Sequence, residues 1–262
     1  MKAISPKLVW LVAIALLSPA AFGDSPPKPR ETSKAPSPSA EQGLEAKDNA
    51  KDPEDPAKAL EKVLSRMDSA AKDFHTLQGN VVWEQYWKVV NDKDSQRGTV
   101  YYRRSGKEIQ MMADISDPPK SMLFSDGKVQ VYEPKLKRVT SYEAGKNREA
   151  VESFLVLGFG GGGHDMLKSF DVKYLGSETV GGVNAAKLEL VPKAERVRNI
   201  FAKIWLWIDP ARGISVQQQF FEPSGDYRLA KYSDFQLNQK IPDSVFKLKT
   251  SGDTKYVAAP KG

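Results

Sequence analysis

Apolar and polar positions divide the 262-residue chain into three stretches. Residues 1–23, MKAISPKLVWLVAIALLSPAAFG, place Lys2 and Lys7 around the start of an apolar run from Leu8 to Leu17 and end in small residues. That is the layout of a cleavable export signal, and the run is too short for a bilayer, which takes about 20 apolar residues. Residues 24–54 are rich in Pro, Ser, Ala and charge, with almost no large apolar side chain, so little burial repays the entropy of ordering them. They read as a disordered tether. Residues 55–262 carry the periodic patterns of a folded domain.

Asp55-Pro56 reads as an N-cap followed by a first-turn proline, and Leu60, Val63, Leu64, Met67, Ala71 and Phe74 recur at offsets of three and four. One amphipathic helix is predicted there. From Leu77 the pattern changes to short β-rich runs: VVWEQYWKVV, GTVYYRR, EIQMMADIS, SMLF, VQVYEP and KRVTSY, then FDVKYLG, AAKLELVP, NIFAKIWLWIDP, GISVQQQFFEP and DYRLAKYSDFQL. The links between them are Ser105-Gly106, Asp126-Gly127, Gly181-Gly182 and Pro223-Ser224-Gly225, and Asp-Gly supplies the positive φ angles of a tight hairpin turn. About eleven strands result, with no helix between most of them. That excludes a doubly wound parallel sheet and predicts a mainly β domain, one large and strongly curved antiparallel sheet or barrel.

Between the two sets of strands, Val151, Phe154, Leu155 and Gly158 share a helical face in NREAVESFLVLGF. The run GFGGGGHDML follows, with Gly158 and Gly163 at the G-x-x-x-x-G spacing of a phosphate loop. The Lys-Ser or Lys-Thr that such a loop needs is replaced by His164-Asp165. Gly158, Gly160, Gly161, Gly162 and Gly163 therefore read as a helix C-terminus and flexible hinge. IWLWID resembles the magnesium-holding strand of nucleotide hydrolases, but Asp209-Pro210 with Gly213 opens a turn instead.

Cysteine is absent, which removes disulfides, thiol nucleophiles, thiolate metal sites and the acylated cysteine of a lipoprotein. Only His75 and His164 carry imidazoles, and neither has a ligand-like neighbour three or four residues away. No metal, cofactor or catalytic triad is expected, and no enzyme. The formal charge is +6, of which two belong to the signal; the remaining +4 is mild, with no basic stripe for nucleic acid. Paired carboxylates for glycosidic chemistry do not stand out among the many acids.

Several strands are more apolar than one buried face requires: Val81, Trp83 and Trp87 alternate, as do Ile109, Met111, Ala113 and Ile115, and Trp205 and Trp207 sit among Ile204, Leu206 and Ile208. Two readings cover this surplus. One is a two-sided core beneath the helices. The other is an apolar cavity within the curved sheet, lined by Trp83, Tyr102, Ile109, Met111, Met122, Phe124, Phe154, Leu155, Trp205 and Trp207, with pliable thioethers suited to a variable guest.

The stretch SMLFSDGKVQVYEPKLKRVTSY resembles the signature region of the periplasmic outer-membrane lipoprotein carriers of the LolA type. The helix from Pro56, the Gly98 to Arg104 strand, LVPKA and DSVFKLKTSGDTKYV follow in the same order, so the resemblance covers roughly Asp55 to Val257 of a carrier-like domain at 55–262. It implies an unclosed antiparallel barrel with a helical lid over a hydrophobic cavity. The cargo would be acyl chains of lipoproteins or lipids, taken from an inner-membrane release complex to an outer-membrane acceptor. It also implies a soluble, exported, monomeric periplasmic protein without a transmembrane segment. By alignment of RGTVYYRRSG, Arg104, or its neighbour Arg103, is the arginine that bonds the lid backbone in the empty state; the lid is Val151 to Gly163. Three departures stand out: Arg104-Ser105 replaces the family's Arg-Pro, the glycine run is long, and the tether is extra. Relatives of this fold act as lipid-sensing regulatory modules of the envelope, which is the alternative reading.

Overall fold

The structure, a computed structural model, describes residues 55–106, 108–143, 152 and 154–259. The predicted export signal and tether lie outside these residues, as do Val151 and Ser153 of the predicted lid.

Helix α1 spans Pro56–Lys72. Asp55 caps it, its Oδ1 accepting from the Ala57 N–H at 3.0 Å, and Pro56 occupies the first turn, where its missing N–H costs nothing. Ala59, Val63, Leu64 and Met67 form its buried face. Phe74, assigned to the same stripe from sequence, lies just past the helix end and is buried in the core.

Twelve strands follow: β1 (Thr76–Trp87), β2 (Asp92–Ser105), β3 (Glu108–Ile115), β4 (Lys120–Ser125), β5 (Lys128–Glu133), β6 (Arg138–Glu143), β7 (Phe170–Val180), β8 (Val183–Pro192), β9 (Lys203–Asp209), β10 (Ile214–Phe221), β11 (Tyr227–Leu237) and β12 (Lys255–Ala258). They form one sheet in the order β12-β6-β5-β4-β3-β2-β1-β11-β10-β9-β8-β7. Each meander pairs within itself, and β1 pairs with β11 to join the two. The sheet is strongly curved and does not close. The predicted count of about eleven misses β12, a four-residue strand that pairs with β6 in parallel. A strand that short and exposed throughout carries no alternation to read.

Two short helices, α2 (Gly163–Ser169) and α3 (Glu195–Arg198), precede β7 and β9. With α1 and the turn before α2, they cover one face of the sheet. Under the first half lies a cluster of Leu77, Val81, Val100, Met111, Met122 and Phe124. Under the second half, Val63, Leu64 and Met67 of α1 meet Leu188, Leu190, Ile204 and Leu206. On the opposite face, Ile241 and Phe246 cover Met112 and Leu123.

The contact of α1 with α2 depends on Gly163. A Cβ there would stand 2.3 Å from the Leu64 carbonyl oxygen, so only glycine lets the two backbones approach this closely. Beside it, the His164 ring bridges the carboxylates of Asp68 and Glu61, the second at 3.2 Å, and the His164 N–H donates to Asp68 Oδ1 at 3.2 Å. The hydrogen bonds to Asp68 and then Glu61 hold the imidazole pKa above its ordinary value. Glu61 is held low by hydrogen bonds from Ser65 and then His164. Burial works against Asp68, but the bonds from the His164 side chain and backbone keep its carboxyl below the usual range.

The contact can be tested in two ways. Gly163→Ala lowers unfolding stability by about 1–3 kcal/mol, the usual range for overpacking. Gly252→Ala, where a methyl meets nothing within 4 Å, stays within about 0.5 kcal/mol of the parent in the same urea titration. The second test concerns pH. The raised His164 value means its pairing is fully present below about pH 6.5 and is lost as pH rises through the folded value. The lowered carboxylates contribute above about pH 4.5 and are lost as pH falls. Thermal midpoints should therefore fall on the alkaline side of roughly pH 6.5, and His164→Gln should flatten that limb; an unchanged limb would show that the cluster adds nothing.

Candidate functional site

Strand alternation puts Val100, Tyr102 and Arg104 on the covered face of β2. The ladder sets Tyr102 opposite Leu77 on β1 and Met111 on β3, and Met111 opposite Phe124 on β4. Arg104 falls opposite Ile109. Arg103, of the other parity, turns outward, bonds Gln110 and Asp243, and lies over the Phe246 ring. Of the two arginines, Arg104 is the one on the concave side.

Arg104 reaches the covering layer. Its Nη2 donates to the Gly160 carbonyl at 2.6 Å, its Nη1 to the Ala71 carbonyl at 3.4 Å, and its guanidinium sits 5.7 Å from the Phe74 ring centroid. It therefore ties the end of α1 and the glycine turn to the sheet together. Burial pulls its pKa down from the usual arginine value.

The glycine turn is anchored at two further points. The Gly158 carbonyl accepts from the Ser215 N–H at 2.8 Å, and Gln218 Nε2 donates to the Leu157 carbonyl at 2.6 Å. Between these ties Phe159 drops into the concave face. It is 1% exposed, stacks on Tyr102 at 5.3 Å and meets Tyr232 edge-on at 4.8 Å. Gly160, at φ +70°, leaves room for the Phe74 ring, which a Cβ would approach to 2.4 Å. The run read as a hinge is, in this structure, a tied and tightly packed turn. Gly163 opens α2 rather than closing the preceding helix.

Beside this turn lies a cavity of about 670 Å³, lined by Asp68 and Ala71 of α1, Arg104, Ile109, Val156 and Met166 among others. Of the predicted cavity residues, Ile109 lines it. Trp83, Tyr102, Met111, Met122, Phe124 and Leu155 are buried in the cluster around Phe159. Phe154 packs instead beneath α1, edge-on to Phe170 at 6.0 Å.

Trp205 and Trp207 are not part of the concave lining. Ile204, Leu206 and Ile208 take the covered parity of β9, which sends both indoles to the far face. There Lys187 Nζ lies 4.0 Å from the Trp205 ring centroid, Trp205 Nε1 donates to Glu189 at 3.0 Å and Trp207 Nε1 to Glu178 at 2.7 Å. Indole N–H groups need partners that an apolar guest cannot supply, and the outer face has them. Sequence reasoning also missed Phe159 and Gln218. A lone aromatic inside a glycine run was the available signal, since such a run has no other side chain to bury.

Among the described residues no group of three His, Cys, Asp or Glu side chains is placed to hold a metal, and no helix is long and apolar enough to cross a membrane. The arrangement sets one turn aromatic, Phe159, into the covered apolar face and ties its backbone to the sheet.

A comparison with curated proteins gives no match. Among solved structures, an uncharacterized conserved protein of Thermus thermophilus is similar at 12% identity and TM-score 0.50, over 77% of this chain and 99% of that one. The lipoprotein LppX of Mycobacterium tuberculosis is similar at 13% identity and TM-score 0.44, over 71% and 98%. The MucA/MucB complex of Pseudomonas aeruginosa is similar at 13% and TM-score 0.45, over 72% and 61%. The family model described as outer membrane lipoprotein carrier protein LolA matches residues 74–249, from the end of α1 through the segment after β11. With the unclosed curved sheet, its covering helices and this match over most of the chain, the protein belongs to the LolA family of outer membrane lipoprotein carriers.

Proposed function

We propose that the protein is an exported periplasmic carrier whose concave face takes up the acyl chains of lipoproteins or lipids in exchange for its own lid, and yields them toward the outer membrane. The observation that carries this reading is the plug: Phe159 occupies the apolar face through a turn held by a few identifiable bonds to Arg104, Ser215 and Gln218. Lifting that turn would expose the ring of Tyr102, Met111, Met122 and Phe124 to a guest. The glycines that let it pack so closely are also the positions where it can swing.

The magnitudes support an exchange that runs both ways. Withdrawing one phenylalanine costs about 1.5–3 kcal/mol, and each hydrogen bond about 0.5–1.5, more for the charged one. Each buried CH₂ of a guest returns about 0.8 kcal/mol. A long acyl chain therefore outweighs the lid, while a short one does not. The lid offsets part of the gain, which a carrier needs, because tight capture without a competing lid would prevent release.

The test is displacement of an apolar fluorescent dye from the purified chain by a triacylated lipopeptide and by its deacylated form. Only the acylated form should displace, and each two-carbon lengthening of simple acyl ligands should raise affinity about tenfold. Dye that never binds contradicts the reading. Arg104→Leu, which loses both carbonyl bonds, should bind acyl ligand more tightly and hand it to acceptor vesicles more slowly; release at the parental rate would remove Arg104 from the role of lid tie. An envelope sensor would bind the same ligands yet keep them when vesicles are added, so the transfer step separates the alternative.

A further inference from the structure

The concave face does not stay apolar along its length. Toward the β1–β2 turn, Trp83 and Gln85 of β1 point inward; Gln96 of β2 lies opposite Trp83, and Arg228 of β11 lies opposite Gln85. All four are buried, at 9%, 4%, 7% and 7% exposure. One or two alternations away the same parity carries Val81 and Val100. Four polar atoms here lack a hydrogen bond: the indole Nε1 of Trp83, the amide Oε1 of Gln96, the guanidinium Nε of Arg228, and the Oε1 of Glu222, which is ion-paired with Arg228. Burying such atoms unmatched is costly, and native interiors rarely keep several together.

From this juxtaposition we infer that the hairpin end of the concave face is a polar subsite for the uncharged carbonyl linkage, ester or amide, at the head of a bound acyl chain. The inference rests on the carrier reading and names what that site recognises besides the tail. Two N–H donors, from Trp83 and Arg228, match the lone pairs of a carbonyl oxygen, and the Gln96 oxygen can accept the N–H of an amide. The site carries no spare positive charge, because Arg228 Nη2 stands 2.8 Å from Glu222 Oε1. A carboxylate or phosphate would meet Glu222 together with Arg228, so an anion gains little there.

The layout fits a chain lying along the sheet. From Trp83 to Leu77 on β1 is six residues, about 20 Å of strand, and Leu77 faces Tyr102 beneath the Phe159 plug. The tail would replace the plug toward the Arg104 end. The linkage would sit at Trp83, Gln96 and Arg228. Whatever the linkage carries would leave past the Lys88–Asn91 turn and Pro223–Gly225, where the surface is exposed.

The experiment is displacement of an apolar dye from the purified chain by N-methyldodecanamide, methyl dodecanoate, a hydrocarbon of matched length, and dodecyl phosphate. The amide and ester should bind about three- to tenfold tighter than the hydrocarbon, the equivalent of one or two net hydrogen bonds. Trp83→Phe should reduce that preference for both ligands, and Gln96→Leu should reduce it for the amide more than for the ester, each judged as the ratio to the same variant's hydrocarbon affinity. Equal binding of amide, ester and hydrocarbon overturns the subsite while the carrier reading stands, and this comparison needs no variant. Tightest binding by the phosphate overturns the uncharged class. A loss that is equal for all ligands in Trp83→Phe means the indole acts by packing alone, which also overturns it. No displacement by any of the four ligands overturns the carrier reading and the subsite together.

Discussion

The constraint on which the rest depends is an apolar concave face on a sheet that does not close. A closed barrel of this size would bury that face by itself, but here β7 and β12 end as separate edges, so cover has to come from elsewhere. Helix α1 covers the β8–β9 half with Val63, Leu64 and Met67. The other half is covered by Phe159 of the glycine turn together with Leu155 and Phe74, and that turn adheres by hydrogen bonds to its own backbone carbonyls. Polar ties at the rim and an apolar plug in the middle give a cover that is specific in position and limited in strength.

The two ends of the concave face differ in chemistry. At one end Arg104 gathers α1, the glycine turn and Phe74 around a guanidinium whose charge is only partly shielded. At the other, Trp83, Gln96 and Arg228 bring polar atoms into the interior with their bonding capacity unspent. Between them the lining is aliphatic, aromatic and thioether. A molecule with one polar end and a long apolar tail matches that sequence of surfaces in order. The outer face has a different use for its aromatics: the indoles of Trp205 and Trp207 pair with Glu189 and Glu178 under Lys187, which holds the surface without needing a guest.

Much of this is legible in the chain. Alternation of period two and the Asp126-Gly127 turn, whose φ angles of 52° and 70° are what a type I′ turn requires, set out the first meander. Asp55 and Pro56 mark the start of α1. The parity of β9 is not legible, because Ile204, Trp205, Leu206, Trp207 and Ile208 are apolar at every position and alternation has nothing to act on. β12 escapes for the reverse reason, being short and exposed on both faces. The glycine run reads as freedom of motion, whereas Gly158, Gly160, Gly161 and Gly163 each stand where a Cβ would collide, a fact that only tertiary packing supplies. Arg104 is placed by family resemblance, and alternation from Val100 and Tyr102 explains why it rather than Arg103 faces inward.

The most direct measurement is the distance between the lid and the sheet with and without an acyl guest. The chain contains no cysteine, so Val156→Cys in the turn that carries Phe159 and Asp114→Cys on the outer face of β3 would be the two labelled thiols of a spin-label pair. Addition of a triacylated peptide should shift the distance distribution to larger values, and its deacylated form should leave it in place. A distribution unchanged while the acylated peptide is stoichiometrically bound would mean that the guest sits elsewhere and that Phe159 belongs to a fixed core.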